Sequence, residues 1–223
     1  MSSKSAKIHR EGYYYIIKFL FFALLFNVSV IYFFKNNLIV SFILITISFI
    51  VFAILYNFFR IPKREHEHNE NFIYSPADGK IVAIEKTTHE AFPNEEVNFI
   101  SIFMSITDVH INFSPISGTI VEKKYFPGKH LVAYNPKSSE KNEQTYVIIK
   151  NNKKKILVRQ VAGILARRII NNWEIGEKIN QFEELGMIKL GSRVDIITPN
   201  KINIKVWLGQ QVYAKETILA EIN

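Results

Sequence analysis

The sequence predicts a mainly β (β-rich α+β) domain, sandwich-like or barrel-like, that is preceded by a two-helix transmembrane hairpin. Two long apolar runs lie near the amino terminus, between residues 13 and 59. Residues 61–71 are polar and lack periodicity, as expected for a linker. From residue 72 onward, short apolar runs alternate with turn residues. The predicted organisation is therefore a basic flank (1–12), a hairpin (13–60), a linker (61–71) and a domain (72–223).

The hairpin is predicted from length and composition. Residues 13–34 and 38–59 are almost entirely apolar and contain 22 residues each, and about 20 are enough to span the hydrocarbon core of a bilayer. Only the polar turn 35–37 separates them, so the two helices would run antiparallel. A cleaved signal peptide is a poor interpretation, because the first run is too long and a second run follows it directly.

The distribution of basic residues predicts the orientation of the hairpin. Residues 1–12 and 60–64 each contain three Lys or Arg residues, whereas the turn contains only Lys35. Basic flanks tend to stay in the cytoplasm, so both ends are predicted on the cytoplasmic face of the cell (inner) membrane. A hairpin that dips into one leaflet remains an open alternative.

Composition excludes several classes of function. Residues 1–35 carry five basic residues and one acidic residue, and residues 36–223 carry 23 basic and 19 acidic residues, so each part contributes +4 to the net charge of +8. This mildly basic chain suits an anionic membrane surface, and without a basic and aromatic stripe it does not predict nucleic-acid binding. The absence of cysteine excludes disulfides and thiolate ligands. His66 and His68 lack a third ligand at a suitable spacing, so no metal site is expected.

The part of the chain after the linker is predicted to be rich in strands, because its apolar runs are short and are mostly β-branched or aromatic. Residues 162–171 are the best candidate for a short helix. Residues 75–82 and 114–121 repeat one pattern of Ser-Pro, a turn, Gly and a strand, which resembles the turns of biotinyl/lipoyl-type modules; two ordinary hairpin turns would look the same. The predicted strands are 80–85, 97–106, 119–126, 145–150, 155–164, 194–199, 202–208 and 218–222.

The strongest candidate for chemistry is the segment 186–195, in which Gly191-Ser192 lies between two apolar runs. Gly-Ser between strands is usually only a turn. However, Asp78 and His110 lie in two other segments with turn and strand character. A serine hydroxyl needs a base to become a nucleophile, and histidine oriented by a carboxylate is the usual base. Spacing alone does not show whether the three residues meet.

These segments, in this order, resemble the short-form phosphatidylserine decarboxylases, and the resemblance covers nearly the whole chain. The LGSRVD element is highly specific, SPADG and the DVH segment are moderately specific, and ARR alone is weak. The segments that carry the resemblance are REG (10–12), FFRIPKR (58–64), SPADG (75–79), MSITDVHINFSP (104–115), YFPGKHL (125–131), GILARR (163–168) and GMIKLGSRVD (186–195).

The resemblance implies a proenzyme that cleaves itself between Gly191 and Ser192 without hydrolysis. The products would be a β chain (1–191) and an α chain (192–223) whose amino terminus is a pyruvoyl group made from Ser192. This covalent cofactor would form a Schiff base with phosphatidylserine at the membrane and decarboxylate it to phosphatidylethanolamine, and no metal is implied. A homo-oligomer is compatible with the sequence.

The resemblance also implies roles for single residues. Ser192 is the pyruvoyl precursor, His110 is the candidate base or proton donor, and Asp78 would orient or charge-balance His110. Three arginines could bind the phosphate or carboxylate of the substrate, because guanidinium offers a bidentate fork. These are Arg193, Arg167 and Arg168.

Three positions depart from the family pattern. Phe113 lies where long-form relatives carry a second histidine and short forms often carry arginine. Phe126 replaces the histidine of a Tyr-His-Pro-Gly segment, and His130 lies where an aromatic residue is common. The identity of the processing base is therefore less firmly predicted than that of the nucleophile. Two other functions remain open: decarboxylation of archaetidylserine by the same chemistry, and a non-catalytic, membrane-tethered β module that binds partners.

Overall fold

A computed structural model describes residues 7–64, 67–128, 142–163, 169–188, 192–199 and 201–222. The chain divides into two compact units, Met1–Lys63 and Arg64–Asn223. The first unit is helical and the second consists of strands and turns. Both parts of the predicted fold class, the mainly β domain and the two apolar helices, are therefore confirmed.

The helical unit contains α1 (Arg10–Phe33) and α2 (Leu38–Phe59), both long and apolar enough to cross a membrane. The α1 helix begins three residues before the predicted run, and α2 has the predicted bounds. The Asn37 side chain accepts a hydrogen bond from the Val40 N–H, which caps the exposed amino-terminal end of α2. Most large apolar side chains of both helices face outward, as expected for helices surrounded by lipid.

Polar contacts join the two helices at two levels. At the open end of the hairpin, the His9 N–H donates to the Phe59 carbonyl at 2.9 Å. Near the middle, Asn27 Nδ2 donates to Ser48 Oγ at 3.3 Å. Polar side chains within apolar helices often bond across the helix interface in this way, so these contacts favour a paired hairpin.

The β unit is built around one curled sheet of eight strands in the order β13-β2-β3-β11-β7-β6-β5-β9. Two three-stranded sheets, β4-β10-β8 and β1-β14-β12, accompany it. The strands are β1 (Phe72–Tyr74), β2 (Gly79–Thr88), β3 (Glu96–Met104), β4 (Ile111–Phe113), β5 (Gly118–Phe126), β6 (Gln144–Lys150), β7 (Lys155–Ala162), β8 (Ile169–Ile170), β9 (Lys178–Ile179), β10 (Glu184–Ile188), β11 (Ser192–Pro199), β12 (Ile202–Ile204), β13 (Gln211–Val212) and β14 (Ile218–Ile222).

Strand β11 is buried on both faces and pairs antiparallel with β3 and β7. Val194 and Ile196 belong to the larger apolar core, which extends over most of the unit. Ile197 points to the other face, where a smaller core packs around Phe92 and Tyr146. Because side chains alternate between the faces of a strand, neighbouring residues of β11 have different surroundings.

The repeated Ser-Pro pattern forms two similar turns. Ser75 Oγ donates to the Ala77 carbonyl at 2.7 Å, and Ser114 Oγ donates to the Ile116 carbonyl at 2.6 Å. In both turns a serine side chain bonds to the backbone two residues further on, a common local turn contact. The sequence repeat therefore corresponds to a repeat in local structure.

The two turns also bond to each other. The Phe113 N–H donates to the Pro76 carbonyl at 2.9 Å, and the Tyr74 N–H donates to the Pro115 carbonyl at 3.3 Å. This reciprocal pair holds the loop before β2 against strand β4. As a result, Asp78 and His110 are carried by segments that bond to each other.

The predicted short helix over residues 162–171 is wrong at both described ends. Ala162 is the last residue of β7, and Ile169–Ile170 form β8, which pairs with β10. Residues 164–168 lie outside the described part of the chain. The β-branched isoleucine pair favours an extended backbone once a neighbouring strand offers hydrogen bonds.

Candidate active site

One end of the eight-stranded sheet collects the residues singled out by the sequence. Ser192, the first residue of β11, lies opposite Met104 at the end of β3 and opposite Ala162 at the end of β7. Strand β2, which is antiparallel to β3, begins at the same end, and Asp78 directly precedes it. Antiparallel pairing thus brings together residues that are far apart in the sequence.

A glycine follows Asp78 because this end of β2 is crowded. Gly79 has a φ of +156°, and a Cβ atom there would lie 2.2 Å from the Phe103 carbonyl oxygen. No other residue fits this position without a shift of the backbone. The conformation of Gly79 therefore fixes where Asp78 lies relative to β3.

The Ser192 side chain is completely buried. Its Oγ donates a hydrogen bond to the sulfur of Met104 at 3.4 Å. A thioether is a weak acceptor, so this contact holds the hydroxyl without removing its proton. Gly191, the other residue of the predicted cleavage site, lies outside the described residues.

His110 is also completely buried, and its Nδ1 lies 2.8 Å from the Asp108 carbonyl oxygen. A carbonyl oxygen can only accept, so a neutral imidazole carries its proton on Nδ1 and leaves Nε2 as the basic nitrogen. Burial lowers the pKa of His110 to about 4, although the hydrogen bond to Asp108 and the charge of Asp78 oppose this shift. His110 is therefore neutral near pH 7, the state that a general base requires.

The backbone places His110 beside the segment that leads into Ser192. The His110 carbonyl accepts a hydrogen bond from the Ile188 N–H at 3.2 Å. Ile188 ends β10, four residues before Ser192 in the sequence. The histidine is thus tied to the chain just upstream of the predicted cleavage site.

Asp78 is held by a residue that the sequence did not mark as part of the site. Arg64 donates to its carboxylate through Nη1 and Nη2, the Nη2 contact measuring 2.9 Å, and the Ala214 N–H donates to it at 2.8 Å. Asp78 was expected to orient or balance His110. Its charge does favour protonated His110, but its bonded partners include Arg64 and Ala214. The FFRIPKR segment, which contains Arg64, was the one signal that could have identified it.

Arg193 was expected to bind substrate, but the structure gives it an internal partner. Its side chain is fully buried, and Nε lies 2.9 Å from Asp195 Oδ1. Asp195 also binds Arg159 at 2.8 Å and accepts from Ser101 Oγ at 2.7 Å. This contact set favours a structural role for Arg193, on the opposite face of β11 from Ser192. Arg167 and Arg168 lie outside the described residues.

The two phenylalanines that depart from the family pattern have different surroundings. The Lys215 ammonium group lies 5.0 Å from the centre of the Phe113 ring, a cation–π contact. Burial, and to a smaller extent the charge of Arg64, lowers the pKa of Lys215. Phe126 packs against Tyr146, with ring centres 5.9 Å apart. His130 lies outside the described part of the chain.

Two buried amides near Ser192 were missed by the sequence reasoning. Asn112 and Gln160 are almost completely buried, and Gln160 Nε2 donates to Asn112 Oδ1 at 2.8 Å. Asn112 Nδ2 in turn points at the Met104 sulfur, 3.6 Å away. In the sequence Asn112 lies between two apolar residues, whereas Gln160 lies between Arg159 and Val161. Neither pattern distinguishes a buried amide from an exposed one.

An open cavity of about 560 Å³ lies elsewhere in the unit. Its lining includes Lys150, Lys153 and Lys178. Lys150 pairs with Lys155 at the start of β7, whereas Ser192 lies opposite Ala162 at the end of that strand. The cavity therefore does not belong to the candidate site.

The arrangement at the Ser192 end of the sheet suits chemistry within the chain itself. It combines a buried hydroxyl, a neutral histidine with a basic nitrogen, and a carboxylate neutralised by arginine. Burial of this kind strengthens the electrostatic interactions within the site. A serine nucleophile and its base are the components that an attack on a neighbouring carbonyl requires.

Comparison with known proteins agrees with this arrangement. Residues 51–220 match the family model of phosphatidylserine decarboxylase. Three relatives, each named phosphatidylserine decarboxylase proenzyme, are similar over nearly the full length of both chains. The protein of Cytophaga hutchinsonii is 44% identical over 220 residues (96% of this chain, 98% of the relative). The protein of Amoebophilus asiaticus is 43% identical over 218 residues (97% of this chain, 96% of the relative). The protein of Phocaeicola vulgatus is 36% identical over 222 residues (98% of this chain, 96% of the relative).

Proposed function

We propose, because this chain belongs to the phosphatidylserine decarboxylase family, that it is a proenzyme which converts Ser192 into a pyruvoyl group and then decarboxylates phosphatidylserine to phosphatidylethanolamine. The observation that carries the proposal is the position of Ser192. Its buried hydroxyl lies at the start of β11, at the end of the sheet where the Asp78 loop and the His110 segment are bonded together. The proenzyme names of the relatives support the self-processing step.

Self-processing is proposed to begin with an acyl shift. Ser192 Oγ attacks the carbonyl carbon of Gly191, the C–N bond breaks, and the hydroxyl proton is transferred to the leaving amine. An ester then links residue 191 to residue 192. Elimination removes the Ser192 α-proton and expels the Gly191 carboxylate, which keeps the former hydroxyl oxygen. The new amino terminus takes up one water and releases one ammonia as the ketone forms.

In this scheme Nε2 of His110 takes the Ser192 proton and returns it to the leaving amine. The bond from Nδ1 to the Asp108 carbonyl fixes the tautomer that leaves Nε2 basic. A pKa near 4 makes His110 a weak base, so processing is expected to be slow compared with ordinary enzyme turnover. A single event per molecule does not require a fast step.

Asp78 is proposed to act on His110 through its charge. The carboxylate favours the imidazolium that forms when His110 accepts a proton. Arg64 and the Ala214 N–H keep the carboxylate in place. The pair Asp78–Arg64 is therefore proposed to position His110 and to raise its pKa.

The residues present fit a pyruvoyl group at position 192, because the position is buried, its backbone is fixed between β3 and β7, and its side-chain oxygen donates to a weak acceptor, the Met104 sulfur. Such a group supplies an electron sink for the loss of CO₂. The β chain would comprise residues 1–191 and the α chain residues 192–223. The surrounding protein would exclude water and place a proton donor, for which His110 is the candidate.

The two apolar helices indicate association with a membrane, and we place them in the inner membrane. Both flanks of the hairpin are basic, and the turn contains only Lys35, so the ends and the domain that follows are proposed to lie on the cytoplasmic face. This location would give the domain access to a phospholipid substrate.

Self-processing is tested first by intact mass spectrometry of the full chain, produced by cell-free synthesis into lipid nanodiscs beside Ser192→Ala. We expect the wild type to split into residues 1–191 and 192–223, with the small piece blocked by a pyruvoyl group, and the variant to stay whole. Ser192→Ala removes only one buried oxygen, so its fold serves as the control.

Decarboxylation is tested on the same nanodiscs with phosphatidylserine, by measuring CO₂ release and the appearance of phosphatidylethanolamine. An unsplit wild type, or a split one without CO₂ release, would contradict the proposal. Release of CO₂ only from archaetidylserine would retain the chemistry and change the substrate. An unsplit, inactive chain would favour the non-catalytic β module.

A further inference from the structure

A chain of side-chain amides leads through the protein interior to Ser192. It begins at Asn171, whose Oδ1 accepts from the Trp173 backbone N–H at 3.3 Å. Asn171 Nδ2 donates to Gln160 Oε1 at 3.1 Å, and Gln160 Nε2 donates to Asn112 Oδ1 at 2.8 Å. We call these three residues, Asn171, Gln160 and Asn112, the amide chain.

The amide chain ends on the sulfur that also holds Ser192. Asn112 Nδ2 lies 3.6 Å from Met104 Sδ, and Ser192 Oγ lies 3.4 Å from the same atom. Asn112, Met104 and Ser192 are all completely buried. The last N–H donor of the amide chain, on Asn112, therefore shares an acceptor with the predicted nucleophile, and this acceptor is weak.

The direction of the amide chain follows from its first member. A backbone N–H can only donate, so Trp173 requires the oxygen of Asn171 to face it. Each following amide then turns its oxygen towards Trp173 and its NH₂ group towards the Met104 sulfur, which Ser192 also contacts. The orientation of Asn112 is thus determined by hydrogen-bond chemistry along the whole chain, and the end nearest Ser192 is a donor.

The backbone leaves room for this arrangement. Gly186 of β10 lies opposite Asn112 of β4, and a Cβ atom at Gly186 would lie 3.1 Å from Gln160 Nε2 and 2.2 Å from the Ile170 carbonyl oxygen. A side chain at this position would push against the amide chain. The glycine keeps the Gln160 amide beside Asn112.

We propose that Asn112 is a catalytic residue of self-processing, which donates a hydrogen bond to the negative oxygen that develops when Ser192 attacks. Gln160 and Asn171 are positioning residues that keep the NH₂ group of Asn112 facing Ser192. Donors fixed in advance at a developing negative charge are worth about 10²–10³-fold in rate each. This role rests on the proposed function.

The test replaces the donor by an acceptor of the same shape. We expect Asn112→Asp to slow cleavage by about 100-fold or more at pH 8, because an ionised carboxylate repels the developing charge. At pH 5.5 the ratio of variant to wild-type rate should rise at least tenfold, since a protonated carboxyl again carries a donor. His110, Asp78 and Asp108 are present in both proteins, so the comparison of rate ratios reports on the new carboxyl group. Rates are measured by mass spectrometry after cell-free synthesis of the full chain in nanodiscs.

A matched control is available on the same sheet. Asn98 is buried in β3 and donates to the Pro199 carbonyl at 3.1 Å, at the opposite end of the strand from Met104. Asn98→Asp introduces the same chemical change away from Ser192. We expect it to cleave within threefold of the wild type, with no change of the rate ratio between pH 8 and pH 5.5.

If Asn112→Asp does not fold, as judged by circular dichroism, Gln160→Met replaces it in the test. This variant keeps the volume but lets the Asn112 amide turn, and we expect cleavage to slow about tenfold with a wild-type pH profile. The inference is overturned if a folded Asn112→Asp cleaves at the wild-type rate, if its rate ratio is the same at both pH values, or if Gln160→Met has no effect. An uncleaved wild type would instead overturn the proposed function.

Discussion

The two faces of strand β11 carry two different kinds of buried polar cluster. On one face, Asp195 binds Arg193, Arg159 and Ser101 through short, charged contacts. On the other face, Ser192 shares the sulfur of Met104 with a neutral amide. One strand thus supports an ionic cluster and a neutral one, separated only by the alternation of side chains.

The two clusters differ in how strongly their polar groups are bonded, and this difference favours a different role for each. Buried charges are tolerated only when they are fully paired, so the Asp195 cluster is held tightly and suits a structural role. The Ser192 hydroxyl donates to the Met104 sulfur, which is a weak acceptor. A weakly held hydroxyl can leave its ground-state contact at low cost, as the proposed attack on Gly191 requires. Strong hydrogen bonds and ion pairs therefore favour stability, whereas a weakly bonded hydroxyl favours reaction.

Asp195→Asn tests the ionic face and should have the largest effect on stability. The change leaves two arginines, one of them fully buried, without their carboxylate, so we expect a loss of about 3–5 kcal/mol in the free energy of unfolding. Denaturant unfolding of the full chain in detergent, in the Ser192→Ala background, measures it. The exposed pair Lys86–Glu96 provides the control Glu96→Gln, which should change little. Equal losses in both variants would contradict the structural role.

His110 should make stability depend on pH. Its pKa falls from about 6.5 in the unfolded chain to about 4 in the folded protein, so the folded state binds fewer protons. The contribution of His110 is then complete above pH 6.5 and is lost as pH falls towards 4, by about 3 kcal/mol. His110→Gln should lack this loss. The free energy of unfolding of both chains is measured from pH 7.5 to 4 in the Ser192→Ala background. His89 is present in both chains, so its contribution to the pH dependence cancels. Parallel pH curves would contradict the burial of a neutral His110.

Arg64→Met should have a smaller effect, because the Asp78 carboxylate keeps the hydrogen bond from the Ala214 N–H. We expect a loss of about 2 kcal/mol, the usual range for hydrogen bonds to a charged group, and slower cleavage in the otherwise unchanged chain. Glu216→Gln removes the more exposed partner of Arg64, 3.4 Å away, and should leave both quantities nearly unchanged. Normal cleavage by Arg64→Met would exclude a role for this arginine in positioning Asp78.

Met104→Leu should have the smallest effect on stability, under about 1.5 kcal/mol, because the volume is nearly conserved. It removes the acceptor shared by Ser192 and Asn112. If the sulfur only holds the ground state, cleavage should be at least as fast as in the wild type. Met187→Leu, at another fully buried methionine, is the control for packing. Cleavage slowed tenfold only in Met104→Leu would show that the sulfur takes part in the reaction.

Much of the fold was predictable because its signals are local. The apolar runs that became α1 and α2 exceed the length that spans a bilayer, and the short β-branched runs became strands. Residues 162–171 were misjudged, since their tendency to form a helix competes with pairing to β10, which no local pattern shows. Likewise, the strand predicted over 202–208 ends at Ile204, and the following residues form the turn closed by Gly209.

The candidate site was predictable only in part. Ser192, His110 and Asp78 could be named because their segments resemble those of a known family. The assignment of Arg193 to the substrate did not anticipate Asp195, two residues away on the same face of β11. Arg64 and Asn112 were missed as members of the site, because nothing in their own segments shows what they contact.

The sequence by itself determined the two apolar helices, the β class of the domain and the proposal that Ser192 is the nucleophile, because these depend on composition, periodicity and the order of short segments. Only the tertiary structure decided the partners: Arg64 for Asp78, Asp195 for Arg193, and the Met104 sulfur for both Ser192 and the amide chain. The physical reason is that a partner depends on the register of paired strands and on which face each side chain occupies. Both are settled when distant parts of the chain pack together, so neither can be read from one segment alone.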